Sequence, residues 1–196
     1  MSKFLISVIP QAPRVDLATA IAASGLVVSN SLPLQQDVES HLHAGQVYTV
    51  VSGDAPVGFA VFSRFPNGVL YLAGIMLRPN VQGRHICEKI IQGVRRPEDR
   101  FLGLRTQSPI MWAAGKRICS NGWLPDQPVA TDSELQRIGN EVAAVIGCPT
   151  FPVSPGFYGQ ALYGKKPEHR DPVVQAWWDS LCDFVRGDVV VCVGRF

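Results

Sequence analysis

Tyr71-Leu-Ala-Gly-Ile-Met-Leu-Arg-Pro-Asn-Val-Gln-Gly-Arg-His-Ile-Cys-Glu-Lys-Ile-Ile-Gln-Gly-Val94 joins a continuous apolar run to an amphipathic one across a short polar turn. The first half reads as a buried strand that stops at Arg78-Pro79. In the second half Cys87, Ile90, Ile91 and Val94 recur at i, i+3, i+4 and i+7, the spacing of one helix face. Asn80-Val81-Gln82-Gly83-Arg84 turns the chain between them. A strand, a tight turn and a helix start form a natural anion site. The first amides of a helix lack internal acceptors, and the helix dipole favours negative charge there.

Upstream, Val47–Val51, Val57–Phe62 and Val69–Leu77 are strand-like runs separated by Asp54-Ala55-Pro56 and Pro66-Asn67-Gly68, turn chemistries suited to antiparallel hairpins. Before them, Phe4–Ile9 reads as a first strand. One helix is expected from Pro13 to Gly25 and a second from Pro33 to Gly45. Downstream, Phe101–Arg105 is a short strand, and Ser108-Pro109 offers an N-cap and N1 pair that opens a helix to about Ser120. Ser133 and Gln136 read as a capping box for a helix carrying Leu135, Ile138, Val142 and Ile146. Phe151–Pro167 is a Gly-, Pro- and aromatic-rich loop. Asp171-Pro172 starts a helix with Val174, Trp177, Trp178, Leu181 and Val185 on one face and Gly187 as its stop. Val189–Val193 closes the chain as a β-branched strand expected to be buried on both faces, with an exposed edge able to pair across a homodimer. Hairpins in the middle and interleaved helices elsewhere predict an α+β fold.

The 196 residues suit one domain with a sizeable core. Apolar residues make up 46%, charged ones 17%, and the net charge is +2, which argues against a nucleic-acid partner. No apolar stretch approaches membrane-spanning length, and Pro10, Pro13 and Asp16 interrupt the N-terminal run that would otherwise resemble a signal peptide. The five cysteines, Cys87, Cys119, Cys148, Cys182 and Cys192, are odd in number and lack Cys-x-x-Cys spacing. They read as reduced thiols of a cytoplasmic protein. His41 and His43 lie on different helix faces, so no metal site is expected. Gly159-Gln-Ala-Leu-Tyr-Gly164-Lys165-Lys166 misses a P-loop at its last position, where Ser or Thr must hold magnesium, and its glycines read as turns.

Three strands, the turn Leu77–Arg84, a helix, the segment Phe101-Leu-Gly-Leu-Arg-Thr-Gln-Ser108 and a helix ending at Asn121-Gly122-Trp123 together resemble the core of the GCN5-related N-acetyltransferase (GNAT) family over about residues 47–123. The resemblance implies a single GNAT-like domain over 1–196, in which 124–196 completes a mixed, mostly antiparallel sheet flanked by helices. It implies acetyl-CoA as co-substrate and direct attack on the thioester by the amine of an unidentified small-molecule or protein acceptor. By the resemblance Met76 and Leu77 meet the pantetheine arm. Gln82, Gly83, Arg84, His85, Ile86 and Cys87 wrap the pyrophosphate, and Ser108 stands where the family often has a coenzyme-contacting Asn.

The family's signature, Gln/Arg-x-x-Gly-x-Gly/Ala, carries His85 and Cys87 at its two small positions here. Two alternatives follow for His85: its ring crowds the phosphate path, or it donates a hydrogen bond to phosphate. The first makes the chain a catalytically inactive binding or assembly module. Ile118 replaces the family's usual general-acid Tyr, leaving Tyr158 and Tyr163 as the later tyrosines able to serve. Glu88, expected to face solvent, and Asp54, in a turn, are weak candidates for the base. Trp177 and Trp178 read as core before they read as an acceptor pocket.

Overall fold

Alternation along β3 and β4 dictates a two-sided core, and the sheet delivers it. The structure is a computed structural model describing residues 6–25, 34–126 and 132–196. In chain order the elements are β1 (Ile6–Ile9), α1 (Val15–Gly25), α2 (Leu34–His43), β2 (Gln46–Ser52), β3 (Ala55–Phe65), β4 (Val69–Leu77), α3 (Ile86–Val94), β5 (Phe101–Thr106), α4 (Pro109–Ile118), β6 (Trp123–Leu124), α5 (Ser133–Val145), β7 (Val153–Ser154), α6 (Pro172–Leu181) and β8 (Val189–Arg195). The sheet runs β1-β2-β3-β4-β5-β8-β6, with β7 also on β8; β4 and β5 pair in parallel and all other neighbours are antiparallel. Phe4 and Leu5 of the expected first strand and Pro33 lie outside the described residues.

Ala60 and Phe62 of β3, Leu70 and Leu72 of β4, Leu102 and Leu104 of β5, and Val190 and Cys192 of β8 point to one face, where Ile90 and Ile91 of α3, Trp112 of α4 and Trp178 of α6 cover them. On the other face α1 and α2 pack on Phe59 and Val61. There α5 packs on Val69, Tyr71, Phe101 and Val191. Trp178 is core: it is fully buried, its Nε1 donates to the Gln107 carbonyl at 3.1 Å, and the ring of its neighbour Trp177 lies 4.8 Å from Trp112. Gly115 of α4 is required by close approach, since a Cβ there would meet the Trp123 ring at 2.3 Å.

Several local expectations are corrected. The β2–β3 turn is Gly53-Asp54, and Ala55 already pairs with Ser52. Ser108 occupies the N-cap of α4 but its side chain makes no cap bond. Asp132, not Ser133, caps α5: its carboxylate accepts the Glu134 and Leu135 amides and also binds Arg195. A carboxylate is the stronger acceptor at a helix start, so it takes the position. The last helix ends at Leu181, before Val185 and Gly187, because Asp188 draws the chain into a turn by accepting the Asp183 amide at 3.0 Å. Val189–Val193 is no free end strand. It lies between β5 and the short β6 and β7, every residue buried, so the route to a dimer through that strand is closed.

Candidate active site

β4 pairs with β5 only from Val69↔Phe101 to Leu72↔Leu104. Beyond Leu72 its β5-facing edge has no strand partner among the described residues. The cause sits on the other edge, where pairing with β3 jumps from Leu72 to Gly74 and leaves Ala73 as a bulge. A bulge bends and twists its strand, so β4 swings away from β5 and the two strands fork.

On the α3–α4 side the fork opens into a cleft of about 770 Å³. Ile75 and Leu77 line it, whereas Met76 points to the opposite face and packs against the α1–α2 core, as alternation along a strand requires. Past Leu77 the chain enters the turn, and Gln82 Nε2 donates to the Leu77 carbonyl at 2.8 Å. Gly83 has φ +72° and open space where a Cβ would stand. His85 follows in the left-handed region, φ +56° and ψ +26°, and provides no side-chain cap for α3. The first helical bond runs from the Lys89 amide to the His85 carbonyl. The amides of Ile86, Cys87 and Glu88 therefore start α3 without internal acceptors, the geometry expected of an anion site.

The side chains around those amides are mixed in charge. Glu88 is only 18% exposed, contrary to the solvent-facing expectation. Its carboxylate accepts from Arg117 Nε at 2.7 Å and lies 2.9 Å from His85 Nδ1. Burial pushes the Glu88 carboxyl up, but the His85 and Arg117 contacts outweigh it and the net shift is downward. Arg117 and Lys165 also line the cleft. The Cys87 thiol is pushed up to about 12, by burial first and Glu88 second, so it stays protonated. Ser108 is buried, lines the cleft and donates its amide to Thr106 Oγ1 at 2.9 Å.

Tyr163 closes the far wall, and sequence spacing alone did not separate it from Tyr158. Its loop is held by fully buried Gln107, which accepts the Leu162 amide at 2.8 Å and donates to the Asp188 carbonyl at 2.7 Å. Burial pushes the Tyr163 phenol well up, and the Thr106 hydroxyl bonds to it. Tyr158 does not reach the cleft lining. It lies on the opposite face of the fork, its ring edge-on to Phe157 at 5.2 Å and 5.9 Å from the Arg105 guanidinium. Ile118 turns into the core, and Asp54 sits in the exposed β2–β3 turn. Arg84 is not part of the cleft wall.

On that opposite face, α2 brings Asp37 and His41 over β4. A Cβ on Gly74 would meet the His41 ring at 3.0 Å. Arg105, Asp37 and Arg117 carried no signal in the sequence, because each is one polar residue in an otherwise ordinary element. Among the described residues there is no cluster of three or more His, Cys, Asp or Glu able to hold a metal ion. No described helix is long and apolar enough to cross a membrane.

Residues 23–96 match the model of the Acetyltransferase (GNAT) family. The chain carries the GNAT fold. Solved structures with that architecture include the IAA acetyltransferase from Bacillus cereus, 13% identical over 98% of this chain and 99% of that one, TM-score 0.52. The Bacillus subtilis acetyltransferase solved in complex with CoA is 13% identical over 99% of both chains, TM-score 0.50. The ribosomal-protein-S18-alanine N-acetyltransferase from Escherichia coli is 7% identical over 97% and 94%, TM-score 0.50. A comparison with curated proteins by sequence returns no match. The GNAT match ends at Arg96, just past α3, so it includes the turn and the helix start that border the cleft.

Proposed function

We propose that this GNAT-fold protein transfers an acetyl group from acetyl-CoA to an amine. The observation that carries the reading is the fork between β4 and β5 leading straight to the uncapped start of α3. The residues present fit the coenzyme. The unpaired edge over Ala73–Leu77 accepts the pantetheine arm as an added strand, through the backbone of Met76 and Leu77. The amides of Ile86, Cys87 and Glu88, with the turn Gln82-Gly83-Arg84, receive the pyrophosphate, and Arg117 and Lys165 supply positive charge beside it. Ser108 borders the same wall.

Acetyl-CoA supplies the activated acyl group; the chain supplies position and protons. A backbone N–H at the splayed end of β4 polarises the thioester carbonyl. Tyr163, a cleft-lining phenol that is protonated at neutral pH, serves as the acid that protonates the departing thiolate. An ammonium acceptor loses two protons on becoming an amide. One leaves to solvent before attack, and the other replaces the proton that Tyr163 gives up. Tyr158, outside the cleft, has no part in that transfer. A reducing, cytoplasmic compartment suits the five free cysteines.

The rival reading, a silent binding or assembly module, draws on Glu88, whose carboxylate sits beside the very amides that must take phosphate. Thermal unfolding with coenzyme A and acetyl-CoA separates the two. At a hundredfold the Kd, binding stabilises by about 2.7 kcal/mol, a rise of roughly 5–11 °C in Tm for a chain of this size. No rise at millimolar ligand excludes the acetyltransferase reading and leaves the silent module.

A further inference from the structure

On the face of the fork away from the cleft, one charge lacks an ionic partner. Three half-buried arginines project from strands: Arg64, Arg105 and Arg195. Arg64 is paired with Asp99, and Arg195 with Asp132 and Glu134. Arg105 has no carboxylate partner among the described residues. Its hydrogen bond to backbone is a long one, Nη1 to the Ile146 carbonyl at 3.4 Å, and its guanidinium lies 5.1 Å from the Phe157 ring and 5.9 Å from that of Tyr158. Rings, the Cys148 side chain and one carbonyl hold the half-buried guanidinium without matching its charge, and its planar fork suits a carboxylate.

Position makes this functional. Arg105 is the first β5 residue beyond the last pair with β4, so it stands at the mouth of the fork. The next residue, Thr106, bonds to Tyr163 in the cleft. From the other side α2 presents Asp37, only 17% exposed, with His41 Nδ1 at 3.7 Å. The Tyr158 phenol is within electrostatic reach of both Arg105 and Asp37. A cation and an anion therefore face the fork across one tyrosine.

Building on the acetyltransferase reading, we propose that the acceptor is a free α-amino acid, its carboxylate held by Arg105 and its ammonium by Asp37. An α-amino acid carries both charges that these two groups would match. Arg105, which takes the carboxylate, is one residue from Thr106, whose hydroxyl bonds to Tyr163. Before attack the ammonium gives up one proton to solvent through Asp37 and His41; then the C–N bond forms as the C–S bond breaks, the thiolate takes the Tyr163 proton, and the second proton on nitrogen restores Tyr163.

The test is equilibrium binding of the twenty protein α-amino acids, one at a time, and of the carboxamide of each binder, with coenzyme A titrated separately. The expected result is at least one amino acid that binds at least tenfold tighter than its carboxamide. Arg105→Gln abolishes that preference, Arg105→Lys retains part of it, and both variants bind coenzyme A as the wild type does. The acid-versus-carboxamide contrast is read on the wild-type protein and needs no variant to fold. No amino-acid binding at millimolar concentration overturns the proposal, and so does equal binding of acid and carboxamide. Failure of the acetyltransferase reading shows separately, as absent coenzyme A binding.

Discussion

The two faces of the β4–β5 fork are built in different ways. One wall of the cleft is contiguous chain, in which Ile75, Leu77, Gln82, Gly83, His85 and Glu88 follow one another through a strand, a turn and a helix start, while α4 and the loop of Tyr163 supply the other. The opposite face gathers Asp37, His41, Arg105 and Tyr158 from α2, β5 and a late loop. The first face is built around a local motif, whereas the second has none. A substitution on one should therefore leave the other's ligand alone, unless it strikes what they share.

What they share is the loop from Gly156 to Tyr163, and Asp188 anchors it. Its carboxylate is 1% exposed, accepts the Gly156 amide at 2.8 Å and binds Arg186 through both oxygens at 2.7 Å. Asp188→Ala is expected to cost about 2–4 kcal/mol in urea unfolding and to weaken both faces together. Damage confined to one face would break the comparison. The Arg186 contacts, then the Gly156 and Asp183 amides, hold the Asp188 carboxyl at about 2, below its ordinary 3.8. A depressed carboxyl stabilises the fold above its unfolded value. That contribution should fade as the pH falls from about 4 toward 2, and acid unfolding of Asp188→Ala should lack it.

Tyr163→Phe sharpens the contrast. It removes the acid from the cleft face alone, so kcat should fall about a hundredfold while coenzyme A binding holds within twofold. Tyr158→Phe should change kcat far less and show its effect in the KM of the acceptor. Equal losses in the two variants would mean that the faces are not separate in role.

His85→Gly has the smallest expected effect. The ring is turned to Glu88, and the left-handed backbone is one that glycine adopts freely. The variant should bind coenzyme A about fivefold tighter, a gain of ~1 kcal/mol, with acceptor binding unchanged. A loss of coenzyme A affinity would instead make the imidazole a phosphate ligand.

The same contrast explains what the sequence reveals. Periodicity marks β2, β3, β4, α3 and α4, and the turn chemistry at Gln82–His85 points to the anion end. Glu88 is misjudged as solvent-facing because the residue that covers it, Arg117, is 29 positions away. The bulge at Ala73 leaves no trace in a run that is apolar throughout, so the fork itself is invisible. Arg105 looks like an ordinary strand residue until its neighbours from Phe157, Tyr158 and Ile146 are in place. Nor does a β-branched run such as Val189–Val193 reveal its place in the sheet. Interior or edge is decided by which strands flank it, here β5 on one side and β6 and β7 on the other.

Calorimetric titration of coenzyme A beside pantetheine tests the central claim most directly, because coenzyme A adds to pantetheine the 3′-phosphoadenosine pyrophosphate whose phosphates the start of α3 would hold. The account predicts saturable binding of coenzyme A, with pantetheine at least about a hundredfold weaker, a difference of ~2.7 kcal/mol. No heat at millimolar coenzyme A, or equal affinity for the two ligands, would contradict it.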